Sequence, residues 1–132
     1  MTNVMKIEHI AFNVEDPLAM GRWYVEHLGL KVKRRTVDAP YGHFLADDSG
    51  TVMIEIYGNK SAPLPDYRRM NPAELHLAFV SKDIASDIRR LTAAGATQVG
   101  QIDTAANGDQ IAMLRDPWGL AIQFVKRATP TI

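Results

Sequence analysis

Apolar positions along this chain follow two rhythms, and the order of those rhythms is written twice. From Ile7 to Val14 the pattern has the period of two of a strand, with Ile10, Phe12 and Val14 on one side and His9, Ala11 and Asn13 on the other. Asp16-Pro17 then predicts a helix start, because aspartate accepts from free first-turn amides and proline suits the first helical position. Leu18, Gly21, Val25 and Leu28 recur at spacings of three and four, which predicts a narrow buried stripe closed by Gly29 in a left-handed turn. Strands are expected over Leu30 to Val37, Tyr41 to Ala46 and Thr51 to Tyr57, separated by Asp38-Ala39-Pro40 and Asp47-Asp48-Ser49-Gly50. The first module, residues 6–57, therefore reads βαβββ.

Residues 58–72 break the rhythm with Pro63, Pro65 and Pro72, so no regular element is expected there, and Tyr67-Arg68-Arg69 reads as part of a solvated linker. The second module, residues 73–127, repeats the order. A strand from Glu74 to Val80 leads to a helix capped by Asp83, with Ile84, Ile88, Leu91 and Ala94 on one face and Gly95 closing it. Strands follow near Thr97 to Ile102, Gln110 to Arg115 and Leu120 to Lys126, and the residues from Ala128 onward read as a loose tail. His9, Phe12 and Asp16 map onto His76, Phe79 and Asp83 with one offset, and Asp48 and Glu55 map onto Asp116 and Gln123 with an offset one residue longer. Two copies are too few for a solenoid, so the pair is expected to close on itself as a single domain over 1–132.

The duplication also repeats a chemical feature. Each copy opens with a histidine inside an apolar run, and a polar residue follows 46 or 47 positions later in another: His9 with Glu55, and His76 with Gln123. A solvated sheet face would carry several polar residues per strand, whereas here a single one usually sits among small or apolar neighbours. A dry, unpaired carboxylate costs several kcal/mol, so Glu55 needs a cation or a hydrogen-bonding network. His9, Glu55, His76 and Gln123 are therefore read as one metal site, an N2O2 set suited to a divalent first-row ion (Zn, Ni, Co, Mn or Fe) with positions left for water or substrate. His27 and His43 are read as hydrogen-bonded core histidines. Tyr41, Phe44, Met113 and Trp118 are weak candidates for lining a substrate cavity, with core packing as the default. Arg34, Arg35 and Arg115 are read as solvated edge charges.

Composition narrows the partners. Of 132 residues, 46% are hydrophobic and 23% charged, the balance of an ordinary globular domain. Fifteen basic residues offset fifteen acidic ones without long runs, which argues against nucleic acid or an anionic membrane and for a small molecule. With no cysteine, disulfides and thiolate metal sites are excluded. The opening residues lack the apolar core of a signal peptide and no stretch is long enough to span a membrane, so a cytoplasmic location is expected.

From Lys6 to about Lys126 the chain resembles the vicinal oxygen chelate superfamily, which includes glyoxalase I, bleomycin-resistance proteins, fosfomycin-resistance enzymes, methylmalonyl-CoA epimerase and extradiol dioxygenases. The phrases HIAFNVEDP, WYVEHLGLKV, IEIY, LHLAFVSKD and LRDPWGLAIQFV carry the resemblance. It implies an α+β fold of two tandem βαβββ modules whose curved, mostly antiparallel half-barrel sheet surrounds a metal, in homodimers. The superfamily's ligand positions correspond to His9, Glu55, His76 and Gln123. In glyoxalase I-like members the last is normally a glutamate that also moves the proton. An amide cannot accept a proton at neutral pH, so Glu55 becomes the expected catalytic residue. The function this implies is a divalent-metal-dependent lyase or isomerase of glyoxalase type, shuttling a proton through a metal-stabilised enediolate on a small molecule with adjacent oxygens. The alternatives are a metal-free sequestering protein of bleomycin-resistance type and, third, an iron-dependent oxygenase.

Overall fold

The structure, a computed structural model, describes residues 3–132, and the chain divides into two compact units, Met1–Pro65 and Asp66–Ile132. The first unit runs β1 (His9–Asn13), α1 (Pro17–Leu28), β2 (Lys31–Arg35), β3 (His43–Ala46) and β4 (Met53–Tyr57). The second runs β5 (Leu77–Val80), α2 (Ile84–Ala93), β6 (Thr97–Thr104), β7 (Gln110–Arg115) and β8 (Ala121–Lys126). Their sheets have the same topology, β1-β4-β3-β2 and β5-β8-β7-β6. In each, the first and last strands of the module pair in parallel and the other pairs are antiparallel. This is the expected α+β architecture of two βαβββ modules.

Local chemistry sets the element ends. The Asp16 carboxylate accepts from the Ala19 amide, Pro17 opens α1, and Gly29 ends it at φ 72°, a left-handed conformation that costs glycine nothing. Asp83 caps α2 through the Ser86 amide, and after Ala94 at the C-terminal boundary Gly95 closes the helix as expected, at φ 108° with its amide donating to the Thr92 carbonyl. The outer strands β2 and β6 each slip register against their neighbours, between Val32 and Arg34 and between Val99 and Asp103. Such irregularities, with Lys31, Lys33, Arg34 and Arg35 exposed along β2, blunt a sheet edge against further pairing.

The stripe predicted on α1 is corrected. Leu18 is 50% exposed, whereas Pro17, Met20, Gly21, Trp23 and Tyr24 are buried. The helix carries apolar residues on more than one face, and packing chose the side with the larger payload in Met20, Trp23 and Tyr24. On α2 the expected face holds: Ile84, Ile88 and Leu91 are buried. The cores centre on Tyr24, Met20, Leu45 and Ile56 in the first unit, and on Leu91, Leu114, Leu120 and Ile122 in the second.

The linker is more ordered than its prolines suggest. Tyr67–Arg69 form a single 3-10 turn in which Tyr67 is buried. Arg115, expected to be solvated, instead donates to the carbonyls of Tyr67, Met70 and Gly119, at 3.0, 2.8 and 3.0 Å. Arg68 in turn donates to the Pro117 carbonyl. Gly119 sits beneath it at φ 94°, where a Cβ would overlap the Arg68 side chain. The guanidinium fork satisfies several carbonyls at once, which an isolated edge position offers no hint of. Among the described residues no helix is long and apolar enough to cross a membrane.

Candidate functional site

The parallel pairing of β1 with β4 decides where the first histidine and carboxylate meet. His9 registers with Met53, two residues before Glu55, so both side chains rise from the same face, and His9 Nε2 lies 3.5 Å from Glu55 Oε1. Ala11 and Phe44 flank Glu55 on the neighbouring strands, and the Phe44 ring meets the His9 ring edge to face at 5.1 Å. The wall around the pair is thus small or apolar, as the sequence suggested. It is not sealed: the His9 and Glu55 side chains are 34% and 19% exposed, which leaves room for a small molecule to reach them.

The second unit repeats the arrangement. His76 immediately precedes β5, whose Leu77 registers with Ile122, so it stands to Gln123 as His9 stands to Glu55. Ala78 and Met113 flank Gln123 as Ala11 and Phe44 flank Glu55. His76 is exposed and Gln123 half-buried. Of the candidate substrate-lining residues, Phe44 and Met113 occupy these matching places. Tyr41 borders a separate cavity, and Trp118 is held in a turn by its amide's bond to Asp116.

Proton placement on the two imidazoles follows from their other partners. His9 Nδ1 is 2.9 Å from the Glu8 carboxylate, and His76 Nδ1 is 2.7 Å from the Pro72 carbonyl. Both partners only accept, so Nδ1 donates in each case and a neutral ring carries its lone pair on Nε2. In the first unit that lone pair faces Glu55 Oε1. Two acceptors so close require a second proton or a cation between them. Ligands about 2.0–2.2 Å from a divalent first-row ion stand about 2.8–3.6 Å apart at octahedral to tetrahedral angles, and the observed separation falls in that range. A carboxylate or carbonyl behind a histidine is also the usual support of a metal ligand. The donor chemistry of His9 and Glu55 therefore fits an ion, and strand register sets His76 and Gln123 at the matching positions of the second unit. Among the described residues no group of three or more His, Cys, Asp or Glu side chains is placed to hold one.

Glu8 and the Pro72 carbonyl were not singled out from the sequence. The second had a local signal: Asn71 and Glu74 form a reciprocal turn, with Glu74 accepting from the Asn71 amide and Asn71 from the Ala73 amide, and this fixes Pro72 beside His76. Of the histidines assigned to the core, His43 is buried and donates from Nδ1 to the Tyr41 carbonyl at 2.7 Å. His27 is only half-buried, tilted against Trp23, which corrects its placement.

Comparison with known proteins places the chain in a family. The model for the Glyoxalase/Bleomycin resistance protein/Dioxygenase superfamily matches residues 6–124. The chain belongs to this superfamily. In fold it is similar to a glyoxalase family protein from Bacillus cereus, with a TM-score of 0.81 and 19% identity over 97% of each chain. It is also similar to an antibiotic-binding protein from Streptomyces sp., with a TM-score of 0.71 and 18% identity over 97% of this chain and 100% of that one. A glyoxalase I variant from Zea mays gives a TM-score of 0.72 and 21% identity, over 94% of this chain and 46% of that one. No curated protein matches the chain. Superfamily membership spans enzymes and binding proteins, so activity has to be argued from the side chains.

Proposed function

We propose that this superfamily member is a divalent-metal-dependent lyase or isomerase of glyoxalase type, acting on a small molecule with adjacent oxygens, as a cytoplasmic homodimer. His9 and Glu55 supply one donor pair and His76 and Gln123 the other, so the proposal requires both pairs to reach one ion. The observation that carries it is the His9 imidazole, whose Nδ1 is committed to Glu8 while Nε2 confronts Glu55 Oε1 at 3.5 Å. When bound, the metal would polarise the substrate oxygens and acidify the adjacent carbon. Glu55 then takes the proton at a carboxylate oxygen and returns it to the neighbouring carbon, because Gln123 has no basic atom for the task. Glu8 and the Pro72 carbonyl hold the imidazoles in orientation. Phe44 and Met113, both half-buried, put apolar surface beside Glu55 and Gln123.

Metal analysis of protein purified without chelators tests this directly. We expect about one Zn, Ni, Co, Mn or Fe per chain, lost in His9→Ala and in His76→Ala. Glu55→Gln should abolish proton exchange from hydroxyketone or hemithioacetal substrates into solvent. Gln123→Glu should tighten the metal by adding charge. Protein that neither carries nor binds a divalent ion, or binds one equally well as His9→Ala, would sink the proposal. A second reading, a metal-free sequestering protein, is favoured by the amide at Gln123 and because among the described residues no three His, Cys, Asp or Glu side chains are grouped to hold an ion. It requires ligand affinity to survive in the His9→Ala/His76→Ala double variant.

A further inference from the structure

The first unit contains a cavity of about 990 Å³ to which neither the duplicated pattern nor the metal proposal assigns a role. It opens where β1 and β4 end and α1 begins, and residues 39–41 and 58–64 complete its walls. Pro17, Leu18, Pro40, Tyr41 and Leu64 give it an apolar lining, and Leu18, Leu64 and Tyr41 remain 50%, 51% and 37% exposed. Large apolar side chains converging on one recess are expected either to pack or to receive something.

The walls are held open rather than loosely draped. The Asn13 side chain donates to the Asn59 and Pro63 carbonyls and accepts from the Asn59 amide, which pins the 58–64 segment to β1. On the opposite side the Gly58 amide donates to the Pro40 carbonyl, and the Gly42 amide to Thr36 Oγ1. Tyr41 itself sits at φ 57°, a left-handed conformation that costs a residue with a Cβ about 1–2 kcal/mol. It is held there by its amide's bond to the Asp38 carbonyl and by His43 Nδ1 on its own carbonyl. Strain of this kind places a ring where relaxed backbone would not.

Two charges of opposite sign line the same recess, Glu15 and Lys60. Among the described residues neither takes part in a hydrogen bond or ion pair, whereas the third charged residue, Asp16, is committed to capping α1. One free carboxylate, one free ammonium and an apolar lining complement a molecule bearing the reverse charges at either end of an apolar body. We propose that this cavity binds a zwitterionic aromatic molecule of short-peptide size, its carboxylate toward Lys60, its ammonium toward Glu15 and its rings against Tyr41 and Pro40. The volume is at the upper end of the range for small-molecule sites, larger than a single amino acid needs and suited to two or three residues.

Amide-resolved NMR titration with phenylalanyl-phenylalanine, its N-acetyl form and its C-terminal amide tests the proposal. The free dipeptide should give saturable shifts centred on Asn13, Tyr41, Gly58 and Lys60, and each blocked form should bind about fivefold more weakly, the worth of one exposed ion pair. Glu15→Gln should erase the advantage of the free dipeptide over the N-acetyl form, and Lys60→Gln its advantage over the amide. Tyr41→Gly, in which glycine adopts the left-handed turn without strain, should weaken all three ligands while the protein stays folded. Absence of saturation, shifts centred elsewhere, or equal affinity for the free and blocked dipeptides would overturn it.

Discussion

Arg115 offers the most exacting test of how the second unit is held together. Its guanidinium reaches three backbone carbonyls, two in the segment before β5 and one in the turn before β8, at 2.8 to 3.0 Å. A hydrogen bond to a charged donor contributes roughly 1.5–3 kcal/mol when buried. This side chain is only half-buried, so water compensates part of each loss. Arg115→Met, which keeps most of the aliphatic stem, should cost about 3 kcal/mol rather than the full sum. For a chain of this length about 3–5 °C of melting temperature is lost per kcal/mol, so the midpoint should fall by roughly 10 °C. Arg115→Lys should recover only about a third of the loss, because an ammonium lacks the planar fork that spans several carbonyls. Arg34→Met on the exposed β2 edge is the control and should stay within about 0.5 kcal/mol of the parent. The assay is thermal unfolding followed by circular dichroism, with urea unfolding for the free energy and hydrogen exchange at the amides of residues 67–70 as the local readout. If Arg115→Met melts within about 2 °C of the parent, the inference that these carbonyls depend on Arg115 is wrong.

Two further predictions concern turns. Gly119→Ala combines a left-handed φ with overlap against Arg68, so it should destabilise by more than about 2 kcal/mol, whereas Gly50→Ala, with the same sign of φ and open space around it, should cost about 1 kcal/mol; equal effects in urea melts would rule out the overlap. The Ala128 amide, with Arg127 and Asn107, holds the Asp109 carboxyl below its usual pKa. Folding therefore favours its ionised form, and the stability it adds is present above the ordinary carboxylate value of about 3.9 and lost as pH falls through the lowered one. Asp109→Asn should be less stable than the parent at pH 6 and converge with it in acid; a gap that persists unchanged to pH 2 would refute the assignment.

Local grammar and its repetition were already legible in the order of the residues. Caps at Asp16 and Asp83, the left-handed Gly29, alternation in β1 and the turn residues between strands act over a few positions. They are legible wherever the chain finally packs, and reading them twice gave the βαβββ order and the pairing of His9 with Glu55 and His76 with Gln123. Matters that depend on partners tens of residues away were settled by the packed fold. It chose the face of α1 that became core, because that helix is apolar on more than one side and only the sheet could select Met20 and Tyr24 over Leu18. It turned Arg115 from an edge charge into the clasp of the linker, and put Glu8 and the Pro72 carbonyl behind the imidazoles. It also held Tyr41 at the mouth of a cavity. A side chain's type records what it can bond to, but the carbonyl or carboxylate that accepts the bond is supplied by the fold.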